Sequence, residues 1–230
     1  MCGRYILTTP NDAIERWFGV RAGAPVPPNF NVAPTQPVLI VRQHDKGHRE
    51  LAAVEWGLIP EWKKEPGDKP LINARIETVE QKPSFRSSIK RQRCLVPFSG
   101  WYEWKTVAGR KQPFYIRPVS DEPMAFAGIW SVWHGAGGDF WLETMAILTA
   151  STEGPMSSLH HRRPLVVKPR DYEAWLTPHD PLPRGFLGSF DFMPETAFHW
   201  RPVSARVNNV RNNGPECLGA PDEETQPSLF

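Results

Sequence analysis

The second residue of the chain is a cysteine, in the opening run MCGRY. An initiator methionine ahead of a small residue is commonly trimmed. Trimming here would leave Cys2 with a free α-amine and a thiol on one residue, two nucleophiles held together. A cysteine left near the terminus by accident is the plain alternative. Three further stretches place polar side chains where packing does not ask for them. In LINARIET (71–78), Asn73 and Arg75 interrupt an apolar segment. In GWYEWK (100–105), Glu103 stands between Tyr102 and Trp104. A carboxylate among aromatic rings is desolvated, which raises its pKa. Such a group can serve as a general acid or base near neutrality. Alternation in a half-buried strand, with Glu103 facing water, is the competing reading. In LHHRRPLVV (159–167), His160 and His161 precede two arginines. An imidazole there can shuttle protons, and a basic surface loop is the competing reading. Neighbouring side chains of an extended segment point to opposite sides, so at most one of the two histidines is expected to serve a given cleft.

Other chemistries find no support. There is no phosphate-binding loop, no dinucleotide-binding glycine pattern and no GxSxG elbow. The three cysteines, Cys2, Cys94 and Cys217, are too scattered for a disulfide framework or a metal site. HDKGHRE carries two histidines in a turn without a convincing third ligand. No metal and no cofactor are therefore expected. A net charge of +2 is too small to argue for nucleic-acid binding by itself. Basic residues do cluster locally, at Arg86, Lys90, Arg91 and Arg93 and at HHRR, where a solvated face is the alternative reading. Neither a signal peptide nor an apolar run of about 20 residues is present. The expectation is a cytoplasmic protein without a membrane partner.

The elements that must position these residues are mostly short strands. The 230 residues suit one domain, and 25 prolines favour loops and strands over long helices. TPNDAIERWFG reads as a helix capped by Thr9, with Pro10 in its first turn, Gly19 at its exit and Ala13, Ile14, Trp17 and Phe18 on its apolar face. Strands are predicted at 38–43, 50–57, 94–98, 113–118, 124–133, 140–150 and 198–204, joined by glycine-bearing or polar turns. Residues 78–92 read as helical or mixed, broken at Pro83. A short helix is predicted at 168–176, with Ala174, Trp175 and Leu176 facing inward. The fold class is α+β: a single domain with an antiparallel, barrel-like sheet and a few flanking helices. The domain is placed at 1–218 and a disordered polar tail at 219–230. A two-domain alternative would divide near 118–123.

The four stretches, in their order, resemble the SOS response-associated peptidase family, also called the SRAP domain. The resemblance is carried by MCGRY, NFNVAPTQ (29–36), WGLIPEW (56–62), INARIET, PSFR (83–86), RCLVPFSGWYEWK (93–105), PFYI, ILTA (147–150), HHRRPLVV and PVSARVNNVRNNGPE (202–216). It runs over nearly the whole chain. It implies a protein that binds single-stranded DNA and forms a covalent crosslink with abasic sites through its terminal cysteine. The matching positions are Cys2, Asn73, Glu103 and His160. The implied chemistry is an attack of the Cys2 amine on the open-chain aldehyde of the abasic sugar, giving a Schiff base, and closure of a thiazolidine ring by the thiol. Asn73 would orient the amine, Glu103 would move protons, and His160 would protonate the sugar ring oxygen. Arg4, Arg75 and Arg162 match positions that would hold phosphates. Pro34 and Trp62 would stack on or wedge between bases, with core packing as their alternative role. The implied partner is single-stranded DNA containing an abasic site, bound by a monomer that associates with the nucleoid. Two other readings use the same residues. One is an N-terminal-nucleophile peptidase in which Cys2 attacks an amide, in the narrowest case removing only Met1. The other is a non-catalytic DNA- or protein-binding module, for which Cys2 is dispensable.

Overall fold

The computed structural model describes residues 2–21, 26–43, 47–67, 69–135, 138 and 140–221. Its strands are β1 (Tyr5–Leu7), β2 (Asn29–Val32), β3 (Pro37–Gln43), β4 (Arg49–Trp56), β5 (Asn73–Arg75), β6 (Arg93–Phe98), β7 (Gly100–Val107), β8 (Arg110–Pro118), β9 (Met124–His134), β10 (Trp141–Ser151), β11 (Arg162–Pro164), β12 (Val166–Val167) and β13 (Phe198–Pro202). Among the described residues, three short α-helices flank them: α1 (Asn11–Phe18), α2 (Ser88–Arg91) and α3 (Tyr172–Leu176). Strands β10, β4, β3, β6 and β9 pair in that order, and β9 pairs back onto β10 to close a five-stranded barrel. A second, antiparallel sheet has the order β13-β8-β7-β1-β2. The expected single α+β domain with a barrel-like sheet is the observed fold. Among the described strands, the departure from an all-antiparallel pattern is at β10, which runs parallel to both β4 and β5.

The barrel forms where the sequence has apolar runs rather than alternation. Every residue of β6, RCLVPF, is buried, as expected for a strand covered on both faces. Gly128 of β9 sits opposite Cys94 of β6. A Cβ there would come within 2.8 Å of the Cys94 sulfur and 2.9 Å of Val96, so close crossing of the strands requires glycine. Phe98 and Phe126 stack at 3.8 Å in the barrel core, and Trp101 of β7 meets Phe126 edge-on at 5.9 Å. That tryptophan pins the second sheet onto the barrel. Two residues, Ala108 and Gly109, turn β7 into β8 with positive φ, the geometry that tight hairpins demand.

Several local expectations change. Pro10, not Thr9, caps α1, without a side-chain bond, while the Thr9 hydroxyl lies 3.1 Å from that of Ser99. Gly19 closes α1 in the left-handed conformation, as expected. Residues 78–92 form successive turns and only the four-residue α2. In α3 the inward residues are Tyr172, Trp175 and Leu176, and Ala174 is exposed. The basic cluster at 86–93 is not one solvated face. Arg93 is buried, and its guanidinium donates to the carbonyls of Ile89, Lys90, Trp175 and Thr177, tying α2 to the end of α3. Burial pushes its pKa down to about 10. The turn at 44–49, the turn at 134–139 and the tail fall partly outside the described residues. Among those described, no helix is long and apolar enough to cross a membrane.

Candidate functional site

Strand β1 carries Cys2 to a place between two other strands. On one side β1 pairs with β7, Tyr5 opposite Trp101 and Ile6 opposite Gly100. The Tyr102 N–H then donates to the Arg4 carbonyl at 3.0 Å. One further step of that register sets Glu103 beside Gly3, next to Cys2. Glu103 is 3% exposed, so it does not face water as strand alternation alone would allow. Burial pushes its pKa up to about 7. Cys2 is itself buried, and its thiol pKa is raised by burial and then by the charge of Glu103. A protonated thiol beside a carboxyl group that titrates near neutrality is the resulting arrangement.

Asn73 reaches the same place from the barrel. Strand β10 pairs with β9 and β4 over its first part, then runs on past the barrel. There its free edges take up β5 on one side, with Ile147 opposite Asn73, and β11 on the other, with Ser151 opposite Arg162. The Asn73 side-chain amide donates to the Cys2 carbonyl at 2.8 Å. Its buried Oδ1 has no hydrogen-bond partner among the described residues, leaving an acceptor beside Cys2.

His160 comes from the opposite edge of β10, in the segment that leads into β11. Thr152, just past the end of β10, fastens that segment: its hydroxyl donates to the His160 carbonyl at 2.7 Å and its N–H to the His161 carbonyl at 3.1 Å. The Arg162 N–H donates to His160 Nδ1 at 3.0 Å. The Arg162 carbonyl also lies 3.0 Å from Nδ1, so Nδ1 accepts from the N–H in one tautomer and donates to the carbonyl in the other. Burial holds the pKa of His160 down to about 4. The segment is not extended as expected. It bends at His161, and the two imidazoles stack at 4.3 Å instead of diverging.

The five residues matched to DNA contacts fall into different settings. Arg75 lies two residues beyond Asn73 on β5, on the same face, and is exposed. Trp62 is 58% exposed, its indole N–H on the Pro83 carbonyl at 3.2 Å, which removes the core-packing alternative for that residue. Pro34 is half-buried in the turn after β2. Arg4 donates to Asn31 Oδ1 at 2.7 Å and to the Val207 carbonyl at 2.9 Å, and burial lowers its pKa. Arg162 is 7% exposed and offers no open fork. It binds both oxygens of Glu77 at 2.8 and 3.0 Å and the Thr149 carbonyl at 2.6 Å. It therefore locks the His160 segment to β10 and to the turn after β5.

Sequence reasoning missed three supporting residues. Glu77 holds Arg162, and Thr152 holds the His160 segment. Asn31, fully buried, donates to the carbonyls of Val207 at 3.2 Å, Asn209 at 3.1 Å and Asn212 at 2.6 Å while accepting from Arg4. Asn31 and Glu77 sit inside the quoted stretches NFNVAPTQ and INARIET, but nothing in their spacing marks partners so far along the chain. Among the described residues, no group of three or more histidine, cysteine or acidic side chains could hold a metal ion.

Comparison with known proteins gives this arrangement its context. The family model for SOS response associated peptidase (SRAP) matches residues 1–210. The abasic site processing protein YoqW of Bacillus subtilis is 34% identical over 95% of this chain and 99% of that protein. The abasic site processing protein YedK of Escherichia coli is 31% identical over 95% of this chain and 99% of its own length. HMCES of Gallus gallus, with the same description, is 32% identical over 83% of this chain and 66% of its own. A crystal structure from Bacteroides thetaiotaomicron has the same fold, with a TM-score of 0.80 at 23% identity over 95% of this chain and 99% of that one. A phage-related protein from Bordetella bronchiseptica superposes with a TM-score of 0.69 at 30% identity over 88% of this chain and 94% of that one. With the family model covering most of its length, the chain belongs to the SOS response associated peptidase (SRAP) family.

Proposed function

We propose that this protein captures abasic sites in single-stranded DNA by a covalent bond through Cys2, once Met1 has been removed. The observation that carries the reading is the set around Cys2: a carbonyl held by Asn73 and a buried carboxyl group titrating near 7 beside the thiol. Relatives described as abasic site processing proteins, aligned end to end with this chain, support the choice of substrate.

The chemistry follows from one residue carrying both nucleophiles. The abasic deoxyribose opens to an aldehyde. The neutral α-amine of Cys2 adds to its carbon, and loss of water leaves an imine. The Cys2 thiol then adds across the C=N bond, sulfur to carbon and proton to nitrogen, closing a five-membered thiazolidine. Holding the thiol on the same residue makes closure intramolecular, which gives it a large effective molarity. A free α-amine has a pKa of about 7.7–8.0, so on the order of a tenth is neutral at pH 7. Glu103, close to half-ionised at that pH, takes a proton from the ammonium or the thiol and returns one to the departing water. Asn73 Oδ1 accepts from the freed amine. His160 acts as a neutral imidazole: in the tautomer whose Nδ1 accepts from the Arg162 N–H, its Nε2–H donates to the sugar ring oxygen as the ring opens. Full protonation of that oxygen by an imidazolium, the role implied by the resemblance, does not suit a group held near pKa 4.

A denaturing gel tests the proposal. Protein lacking Met1 is mixed with a single-stranded oligonucleotide carrying one abasic site, beside undamaged DNA and a Cys2→Ala protein. The expected result is a slow band that survives denaturant, requires the abasic site and is lost in Cys2→Ala. Intact abasic DNA with no such band refutes capture and returns the peptidase and binding-module readings.

A further inference from the structure

Past Glu103 the β7–β8 hairpin becomes polar and exposed, and its charge is one-sided. The two strands carry Lys105, Arg110, Lys111 and Arg117 against a single carboxyl group, the buried Glu103. Arg117, at the far end of β8, stands 3.9 Å from Asp121. The other three cations make no ion pair among the described residues. The register sorts them. Lys105 lies opposite Gln112, Thr106 opposite Lys111 and Val107 opposite Arg110. Residues opposite one another share a face, and neighbours along a strand alternate. Thr106 and Lys111, both exposed, therefore share one face, and Lys105 and Arg110 the other.

Of the three, Lys111 is the one whose charge bears on His160. Burial is the first cause of the low pKa of that imidazole, and the positive charge of Lys111 adds to it. Water and salt screen an exposed charge over about 8–10 Å, so the ammonium stands close to the ring. A cation held beside an imidazole, with no carboxylate to balance it, suits an anion brought from outside. The role given to His160 above puts the abasic sugar against its ring, and a sugar within a DNA chain has a phosphate on each side. Strand β5, with the exposed Arg75, and the segment of His160 lie on opposite edges of β10. Arg75 is set for the phosphate on one side. On the His160 side, the guanidinium of Arg162 is engaged by Glu77 and Thr149, which leaves that phosphate to Lys111.

We propose that Lys111 binds the DNA phosphate on the His160 side of the abasic sugar, with the Thr106 hydroxyl across the hairpin as a second donor. This assignment rests on the reading of single-stranded DNA as substrate. The test is the rate of crosslinking to a single-stranded oligonucleotide with one abasic site, measured below saturation over a range of salt, together with urea unfolding. The proteins are the wild type, Lys111→Gln, Lys111→Arg and Arg110→Gln. Below saturation the rate follows affinity. Lys111→Gln is expected to lower the slope of log rate against log salt by about 0.7, and so to slow capture about fourfold at physiological salt. Lys111→Arg, which keeps the charge, is expected to keep the wild-type slope. Arg110→Gln removes the same charge one residue away on the other face, and is expected to keep it too. All four should unfold at one urea midpoint. An unchanged slope in Lys111→Gln, an equal drop in Arg110→Gln or in Lys111→Arg, or a lowered midpoint in Lys111→Gln overturns the assignment while the wild type still crosslinks. A wild type that forms no crosslink overturns the functional reading, and the role of Lys111 with it.

Discussion

Glu103→Gln turns the buried carboxyl group into a measurable signature. Burial raises the Glu103 pKa from 4.5 to about 7 in the folded chain. Below pH 4.5 the group is protonated in both the folded and unfolded states and costs nothing. Between 4.5 and 7 the folded state holds the proton more tightly, so stability falls as pH rises. Above 7 the cost is complete. A shift of about 2.5 pKa units at about 1.4 kcal/mol each puts that cost at roughly 3 kcal/mol. Glutamine fills nearly the same volume and does not titrate. Urea unfolding of both proteins at intervals from pH 4.5 to 8 reads the difference directly, because titrating groups that do not interact with Glu103 are common to the two and cancel. The variant is expected to gain on the wild type by about 3 kcal/mol across the window while losing most of its crosslinking. Gaining stability while losing activity is the mark of a residue kept for chemistry. A difference between the two proteins that stays flat with pH refutes a desolvated Glu103 and, with it, the proton-transfer role.

Three other outcomes follow from the same geometry. His160 works in the opposite sense: its folded pKa is depressed to about 4, so it erodes stability as pH falls from about 6.5 toward 4, and His160→Gln should flatten the acid side of the wild-type unfolding profile. Removing the Arg162 fork from Glu77 and Thr149 by Arg162→Met should cost about 1–3 kcal/mol in urea unfolding and slow crosslinking through the loosened His160 segment, with little change in the salt dependence of DNA binding. Arg75→Ala should do the reverse, leaving stability within about 0.5 kcal/mol while lowering the slope of log affinity against log salt by about 0.7 for single-stranded DNA. Equal salt slopes for wild type and Arg75→Ala would remove that residue from the phosphate contacts.

How much of this was legible in the sequence depends on how local each feature is. The thiol of Cys2 and the α-amine that loss of Met1 would free belong to one residue, so the joint chemistry proposed for them needs no fold to be read. Strands β3, β6, β8, β9 and β10 announce themselves because an apolar run must be covered wherever it lies. The αL exit at Gly19 and the Ala108–Gly109 turn follow from local backbone preference in the same way. Glu103 shows the limit. Alternation fixes that it shares a face with Trp101, but not which face is covered. That was decided by the docking of β7 against β1 and the barrel, with Trp101 as the pin. His160 and His161 stack because Thr152 bends their segment across β10, a constraint invisible in four letters. Arg162, read as an open fork for phosphate, found its carboxylate 85 residues earlier in the chain.

What the sequence by itself determined is the place of Cys2 behind Met1, from which the paired amine and thiol is proposed, the strand-rich α+β class and the family to which the ordered motifs belong. Tertiary structure decided the rest. The continuation of β10 beyond the barrel takes β5 on one edge and the His160 segment on the other, and sets Asn73 against Cys2. Pairing of β1 with β7 buries Glu103 and brings its pKa to the working range. The physical reason is the same in each case. Nucleophilicity is a property of a residue, whereas desolvation and hydrogen-bond partners are properties of whatever distant segments the fold brings against it.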